Sequence, residues 1–453
     1  MRVGIRRQLI LALFWFGISF VWGALINVTL PFLLYPEHPG PGNPALVPAA
    51  DKNTALGILE SAGLVVAIIV QPAAGAFSDH LRTRWGRRRP LIAIGGFGAA
   101  ASVLLLAVSQ AFLLLVAVYC VLQLSMNVAQ GAYQGLLPDT VPPAQRGTAS
   151  GYLGVGTLLG QVVGAVVAGV LSPRLTCVVI AGVVLASAGV TIAGVPETLA
   201  VRQGQHERAS RAGPRAALRG LGGYFREFAR YPDFCRVVFS RFLLLTGLAA
   251  VQRFAAYYIN DTYRGRYELF GFRVGSAQTA TSVMLAVLIF CGLLVTYPAV
   301  RLSDRIGRRR ILVTAGISGA AGALLLYTAS SLTQVVLYAV LVAFCFGAFV
   351  SVDWAFMADL APRSRAGKFL GFSNLATAGA QAAAPAFLAP VVDIVNRQTA
   401  AGGTPGTGGY RVLFIASALF FVLGAIALAR VRIQRPPDHQ DDVSMRTTSA
   451  VAA

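Results

Sequence analysis

Apolar runs long enough to cross a bilayer recur along this chain from Leu9 to Leu428. A spanning helix needs about 20 mostly apolar residues to cross ~30 Å of hydrocarbon, whereas runs beyond about 18 are rare in soluble cores. The chain must therefore fold as an all-α polytopic membrane protein, and a soluble enzyme is excluded. Composition agrees, since only 12% of the 453 residues are charged against about 25% in an ordinary soluble domain. The first run is longer than the apolar core of a signal peptide and no clean cleavage pattern follows it. It is expected to stay as a helix.

Read at that length, the chain offers twelve spans, at 8–33, 54–77, 90–109, 112–136, 148–171, 175–195, 235–259, 276–298, 311–330, 333–358, 369–395 and 411–431. Of the 38 Lys and Arg, 29 fall in the termini and loops of one side and seven in the loops of the other, while Arg241 and Arg253 lie within the seventh span. Basic loops stay cytoplasmic during insertion. Both termini are thus expected in the cytoplasm, in a multi-pass protein of the cell (plasma) membrane. The net charge of +20 then reflects topology and attraction to anionic lipid. It does not point to nucleic acid, which would need the basic residues gathered on one solvated face. Cys120, Cys177, Cys235, Cys291 and Cys345 lie in or beside the spans without metal-binding spacing and are expected to be small core residues.

Six spans, a basic stretch and six more spans indicate duplication. Ser78-Asp79 leads to Gly86-Arg87-Arg88-Arg89 after span 2, and Ser303-Asp304 leads to Gly307-Arg308-Arg309-Arg310 after span 8. Asp139, Gly147, Gly151 and Gln161 recur as Asp359, Gly367, Gly371 and Gln381 at a constant offset of 220. An even number of crossings keeps the copies parallel, related by an axis along the membrane normal. The expected organisation is a six-helix bundle over 1–195, a basic linker over 196–234, a second bundle over 235–432 and a tail over 433–453. Within the linker, Leu218, Leu221, Phe225 and Phe228 recur at helical spacing, the pattern of an amphipathic helix lying on the inner leaflet.

Large polar side chains are costly against lipid, so those within spans should face the bundle interior or water. With Gln8, Gln278, Gln334 and Arg411 set aside as residues at span edges, spans 3, 6, 9 and 12 carry none, apart from Arg430 at one end. The others carry Asn27, Glu60, Gln71, Gln123, Asn127, Gln130, Gln134, Gln161, Arg241, Gln252, Arg253, Asp353, Asn374, Gln381 and Asp393, with span 8 an exception. Every third helix should then face lipid while the rest surround a central polar cavity.

Twelve spans as six plus six, the basic central stretch, and Gly75-x-x-Ser78-Asp79 followed by Gly86-Arg87-Arg88-Arg89 resemble the major facilitator superfamily. More narrowly, Ser78-Asp79 with six residues before Gly86-Arg87-Arg88-Arg89-Pro90-Leu91-Ile92 resembles the sucrose-proton symporters within the glycoside-pentoside-hexuronide cation symporter group. The resemblance implies a secondary transporter of the major facilitator fold. Two departures stand out. Gln134 occupies the place after Gln130-Gly131 where sucrose transporters carry an arginine. Residues 8–33 hold no acid, whereas melibiose-type symporters place sodium-binding aspartates in that span.

The basic loops invite a mechanical reading as gates. Asp79 and Asp304 can pair with Arg87, Arg88, Arg308 and Arg309, and Asp139 and Asp359 can bond to nearby arginines such as Arg146, Arg363 or Arg365, closing one face against the opposite bundle. Plain topology signalling is the alternative. Asp353 lies six residues inside Asp359, ~9 Å of helix rise, a depth that suits a group binding and releasing a proton. Its alternative is a structural ion pair with Arg241. Glu60 and Arg253 form a second candidate coupling pair or an outer-rim bridge. Gln161 and Gln381 fall near the midplane at matching positions of the repeat. With Asn27, Gln123, Asn127, Gln130, Gln252 and Asn374 they offer donors and acceptors to a hydroxylated ligand, beside Trp22 and Trp354 for stacking on a sugar. Interhelical hydrogen bonding is the alternative for each amide. The glycines of span 5, including Gly151, Gly154, Gly156, Gly160 and Gly164, are expected to pack the two bundles closely.

The leading expectation is alternating-access, proton-coupled transport of a sugar or glycoside-like small polar solute. No cofactor is expected beyond the proton, and the functional unit is expected to be a monomer in lipid. Proton-driven efflux of a drug-like metabolite is the alternative, favoured by Phe14, Trp15, Phe16 and Phe20. A membrane-embedded enzyme is remote, because no D-D-x-x-D or H-E-x-x-H motif occurs and the four histidines lie outside the spans. No phosphate-binding glycine loop supports ATP-driven pumping.

Overall fold

A computed structural model describes residues 3–81, 83–142, 145–195, 228, 231–360, 366–400 and 406–431. Twelve helices in it are long and apolar enough to span a bilayer. They are α1 Ile5–Leu34, α2 Lys52–Ser78, α3 Arg89–Val108, α4 Phe112–Gln134, α5 Thr148–Val170, α6 Pro173–Gly194, α7 Pro232–Arg253, α8 Ala277–Ile306, α9 Arg308–Thr328, α10 Leu332–Met357, α11 Ala376–Gln398 and α12 Gly408–Ala429. A nine-residue helix, Ala255–Tyr263, and a hairpin of β1 Glu268–Leu269 and β2 Phe272–Arg273 link α7 to α8. The tail lies outside the described residues, as does the expected linker helix except for Phe228. That side chain is buried against Phe234 and Phe369.

Local chemistry sets the ends and bends of these helices. Pro90, Pro173 and Pro232 sit in the first turns of α3, α6 and α7, where a missing N–H costs nothing. Ser172 and Ser276 cap α6 and α8 by accepting from the backbone N–H of Leu175 and Thr279. Gly86 and Gly307, at φ 107° and 96°, turn the chain into the two arginine triplets in a region that L side chains rarely adopt. In α1 and α11 a widened π-type turn, Leu25–Thr29 and Ala384–Leu388, lies just before Pro31 and Pro390. Each proline ring displaces the carbonyl four residues back and the turn opens around it. The seventh span, expected as one helix over 235–259, breaks at Phe254. The eighth, expected to end at 298, continues as helix through Pro298 to Ile306.

Within each half the order of packing repeats. Helix α1 lies on α5 and α6, α2 on α4, and α3 on α4 and α6. In the second half, α7 lies on α11 and α12, α8 on α10, and α9 on α10 and α12. The halves meet along α2 with α11 and along α5 with α8. Helices α3, α6, α9 and α12 stay outside these seams and expose large apolar side chains such as Phe97, Val190, Ile317 and Leu419. The first turn of α8 packs on the backbone of α5, with Thr279 Oγ1 donating to Gly169 O at 2.6 Å.

The glycines of α5 correct one expectation. A Cβ on Gly160 or Gly164 would lie 2.5 Å from the carbonyl of Phe16 or Phe20, so these glycines bring α5 onto α1 of its own half. Gly169 alone among the α5 glycines meets the other half, at Ser282, and Gly151 and Gly154 meet nothing within 4 Å.

Candidate functional site

The end of the bundle away from the arginine loops, called distal here, is bonded across the two halves. Lys52 opens α2 and is 2% exposed, as Asp261 is 6%. Lys52 Nζ donates to Asp261 Oδ1 at 2.5 Å, and Tyr410 Oη donates to the other carboxylate oxygen at 2.5 Å. The ammonium also lies 4.7 Å and 5.0 Å from the ring centres of Tyr35 and Tyr257, where the aromatic quadrupole favours a cation. Burial, and then the charge of Asp261, push the Tyr35 phenol up, so that ring stands as a neutral face. Beside this group, Asp393 of α11 accepts from Asn53 Nδ2 at 2.7 Å and from the Thr54 N–H at 2.6 Å. An exposed pair, Asp51 with Arg397, sits at the rim. Glu37 accepts from the N–H of Ala277 at 3.0 Å, and Gln278 donates to the α5 carbonyls of Ala168 and, at 2.7 Å, Leu171.

A second layer lies beneath, with Glu60 eight residues below Lys52, ~12 Å of rise. Arg253 of α7 reaches across the halves there. Its Nε is 3.5 Å from Glu60 Oε2, and its two terminal nitrogens are 3.4 Å from Asn27 Oδ1 of α1 and Gln381 Oε1 of α11. One carboxylate oxygen of Glu60, Oε1, is buried without a hydrogen-bond partner. On α4, Asn127 Nδ2 donates to Gln123 Oε1 at 3.1 Å and Gln123 Nε2 to Tyr119 Oη at 2.9 Å. This chain of amides packs against Gly63, one turn from Glu60.

The other candidate coupling pair sits inside the second half. Arg241 of α7 and Asp353 of α10 are 5% and 1% exposed and bonded to each other. Arg241 Nε also donates to Thr377 Oγ1 at 2.8 Å, and its guanidinium lies 4.8 Å from the Trp354 ring centre. Trp354, expected to stack on a sugar, therefore faces a cation of its own half.

At the basic end the described arginine pairs run to Asp139 and Asp359. Arg87 and Arg88 both bond to Asp139, at 2.8 Å and 2.7 Å, and Arg88 further donates to Ser78 Oγ and Ala132 O. The repeat reproduces this, with Arg308 bonded to Asp359 and to Ala355 O at 2.8 Å. Arg89, the third arginine of the first triplet, and Arg309, the second of the other, each donate to the carbonyl at the end of their bundle, Val195 and Val431. Asp304, expected to pair with arginine, is exposed and makes no ion pair among the described residues. All these contacts stay within one half because each triplet follows directly on the turn beside the end of α4 or α10. Among the described residues, every side-chain bond between the halves lies at the distal end or in the Arg253 layer.

The remaining expected ligands divide plainly. Asn27 and Gln381 converge on Arg253, and Gln123 and Asn127 bond within α4. Trp22, Gln130, Gln161 and Gln252 are half-buried and make no side-chain hydrogen bond among the described residues. The side chains of Asp79 and Asn374, and of Arg146, Arg363 and Arg365, lie outside the described ones. Sequence reasoning missed the distal cluster. Lys52 reads as a loop residue and Asp393 as one polar residue in a span, and their partners are 209 and 340 residues away.

Two pseudo-repeated six-helix halves, joined along two seams and bonded at one end, define a multi-pass membrane transporter. Residues 43–385, and in a second match 267–452, fit the profile of the Major Facilitator Superfamily, and the chain belongs to that family. Among curated proteins it is similar to the sucrose transport protein SUC3 of Arabidopsis thaliana, with 28% identity over 129 residues. That match spans 23% of this chain and 22% of the relative's length. Among solved structures it resembles the nucleoside transporter NupG, with a TM-score of 0.71 at 13% identity, over 95% of this chain and all of that one. It also resembles a D-xylose-proton symporter, with a TM-score of 0.64 at 15% identity, over 94% and 98% of the two chains. At such identities these structures speak for the fold alone.

Proposed function

We propose that the protein is an alternating-access secondary transporter that carries a small polar solute of the sugar or glycoside class together with protons. The observation that carries this reading is the asymmetry of the bonds between the halves. The distal end is tied shut by buried ion pairs and hydrogen bonds, while the ion pairs described at the basic end, Arg87 and Arg88 with Asp139 and Arg308 with Asp359, join residues of one half. Basic loops face the cytoplasm, so in this reading the protein lies in the plasma membrane with its solute path open inward. Trp22, Gln130, Gln161 and Gln252 then offer free donors and acceptors to hydroxyl groups. Similarity to a sucrose transport protein over part of the chain supports the solute class.

Three of the four aromatics that suit an apolar efflux substrate, Phe14, Trp15 and Phe20, are engaged in packing. Phe14 and Phe20 are buried, Phe14 and Trp15 pack on Tyr133, and Trp15 Nε1 donates to Thr157 Oγ1 at 2.5 Å. Those rings are committed to packing within the first half.

The test is a panel of sugars, glycosides, nucleosides and drug-like cations, read first as thermal stabilisation of purified protein and then as uptake into proteoliposomes under an inward proton gradient. Stabilisation by a glycoside with gradient-driven accumulation is expected. Stabilisation by apolar cations alone, with no sugar accumulated, overturns the assignment.

A further inference from the structure

A proton can drive alternating access only if its binding changes the free energy of one access state relative to the other. A carboxylate whose partner lies in the same half keeps that partner in both states. A carboxylate whose partner lies in the opposite half does not. This criterion separates the buried acids of the protein. Asp353 is paired with Arg241 inside the second half. Asp261, Asp393 and Glu60 bond across the halves.

The three cross-half acids differ in how fully they are satisfied. Asp261 receives Lys52 on one oxygen and Tyr410 on the other, and Asp393 receives Asn53 on one and the Thr54 N–H on the other. Both oxygens of these two carboxylates are thus taken up by donors. Glu60 has a single ionic contact, 3.5 Å from Arg253, and Oε1 has no partner although the side chain is only 7% exposed. The charged and titratable groups around it are few. Arg253 faces it from α7, and the phenols of Tyr119 on α4 and Tyr257 beyond α7 lie within range of its charge. The partners of Arg253 from α1 and α11, Asn27 and Gln381, are neutral.

We propose that Glu60 is the proton-carrying switch of the transporter, and that the Glu60–Arg253 bridge holds the distal end shut when Glu60 is charged. The proposal rests on the proton-coupled reading above and names the group responsible. In the distal-open state Arg253 has parted from Glu60, which takes a proton from water on the distal side, and its carboxyl then no longer draws Arg253 back. In the state described here it has released that proton toward the basic side, and the carboxylate draws Arg253 across the seam. Arg241–Asp353 is then a structural pair within the second half and carries no proton between the faces.

The experiment needs no substrate. Spin labels are placed on cysteines at Gly42, in the α1–α2 loop, and at Phe272, in β2, both exposed at the distal end of opposite halves. The five native cysteines are replaced, and the label separation is measured in proteoliposomes from mildly alkaline to mildly acidic buffer. The unaltered pair should lengthen by several ångströms as pH falls. Glu60→Gln, a neutral mimic, should give the longer distance at every pH, and Asp353→Asn should keep the pH dependence. Arg253→Gln removes the same bridge from the other side and should behave as Glu60→Gln, which covers failure of the first variant to fold. Arg253→Lys keeps the charge and should retain the response. A pH response surviving in Glu60→Gln or Arg253→Gln overturns the assignment of the switch alone. A distance independent of pH in the unaltered protein overturns the proton-coupled reading itself.

Discussion

Lys52 and Asp261 form a buried ion pair between the two halves, Nζ to Oδ1 2.5 Å, although 209 residues separate them in the chain. Neither charge could stay in that position without the other, because an ion taken out of water and left unpaired is costly. The pair therefore belongs to the distal-closed state and has to separate when that end opens.

Asp261→Asn strands the Lys52 ammonium, at a cost of roughly 3 to 5 kcal/mol to the closed state. The expected result is a shift toward the distal-open state. A cysteine at Ala55, buried one turn below the pair, should react several-fold faster with a thiol reagent applied to the distal face. Lys52→Met with Asp261→Leu removes both charges and should recover most of the thermal stability lost in the single variant. An unchanged labelling rate in Asp261→Asn would show that the pair does not hold the gate.

Asp353→Asn leaves Arg241 buried and unpaired in the second half, again at about 3 to 5 kcal/mol. A clear fall in thermal midpoint is expected, partly restored by Asp353→Asn with Arg241→Gln. Proton-driven accumulation per folded molecule should persist in the double variant. Its loss there, with folding restored, would transfer the coupling role to Asp353.

The repeated pairs at the basic end should not be equal in strength. Arg88 is 7% exposed and also donates to Ser78 Oγ and Ala132 O, whereas Arg308 and Asp359 are 30% and 57% exposed. Asp139→Asn should lower stability by about 1 kcal/mol, since it weakens a half-buried charge-assisted bond whose carboxylate is partly screened by water. Asp359→Asn should cost less than ~1 kcal/mol. Thermal midpoints of the two variants, measured side by side, decide this, and equal losses would contradict the burial argument.

Orientation is open to direct labelling. A cysteine at Phe272 in the distal hairpin should react with an impermeant thiol reagent added to intact cells, and one at Arg310 beside the second basic loop should be protected. The reverse pattern would place the basic end outside.

The twelve spans, the parallel duplication and the lipid-facing set α3, α6, α9 and α12 were legible in the residues. They follow from apolar length and from the high cost of a polar side chain against hydrocarbon, which are properties of single segments. The arginine triplets were legible too, but one partner, Asp304, was misassigned. Asp304 reads as a partner of Arg308 because it is near in sequence, whereas the fold brings Asp359 there instead. The glycines of α5 were seen, but whether they face α1 or α8 depends on the rotation of the helix in the bundle. The distal cluster was not legible at all. Lys52 with Asp261 and Asn53 with Asp393 each join residues of different halves, and nothing in one half's sequence records which residue of the other will meet it, whereas Glu60 with Arg253 was legible because both are charged residues within spans near the same face. Sequence alone determined that the chain spans the membrane twelve times as two matched bundles, because the bilayer acts on each segment separately. Only the tertiary structure decided which charges meet and at which end the halves are joined, because a buried ion pair is set by the packing of helices distant in the chain.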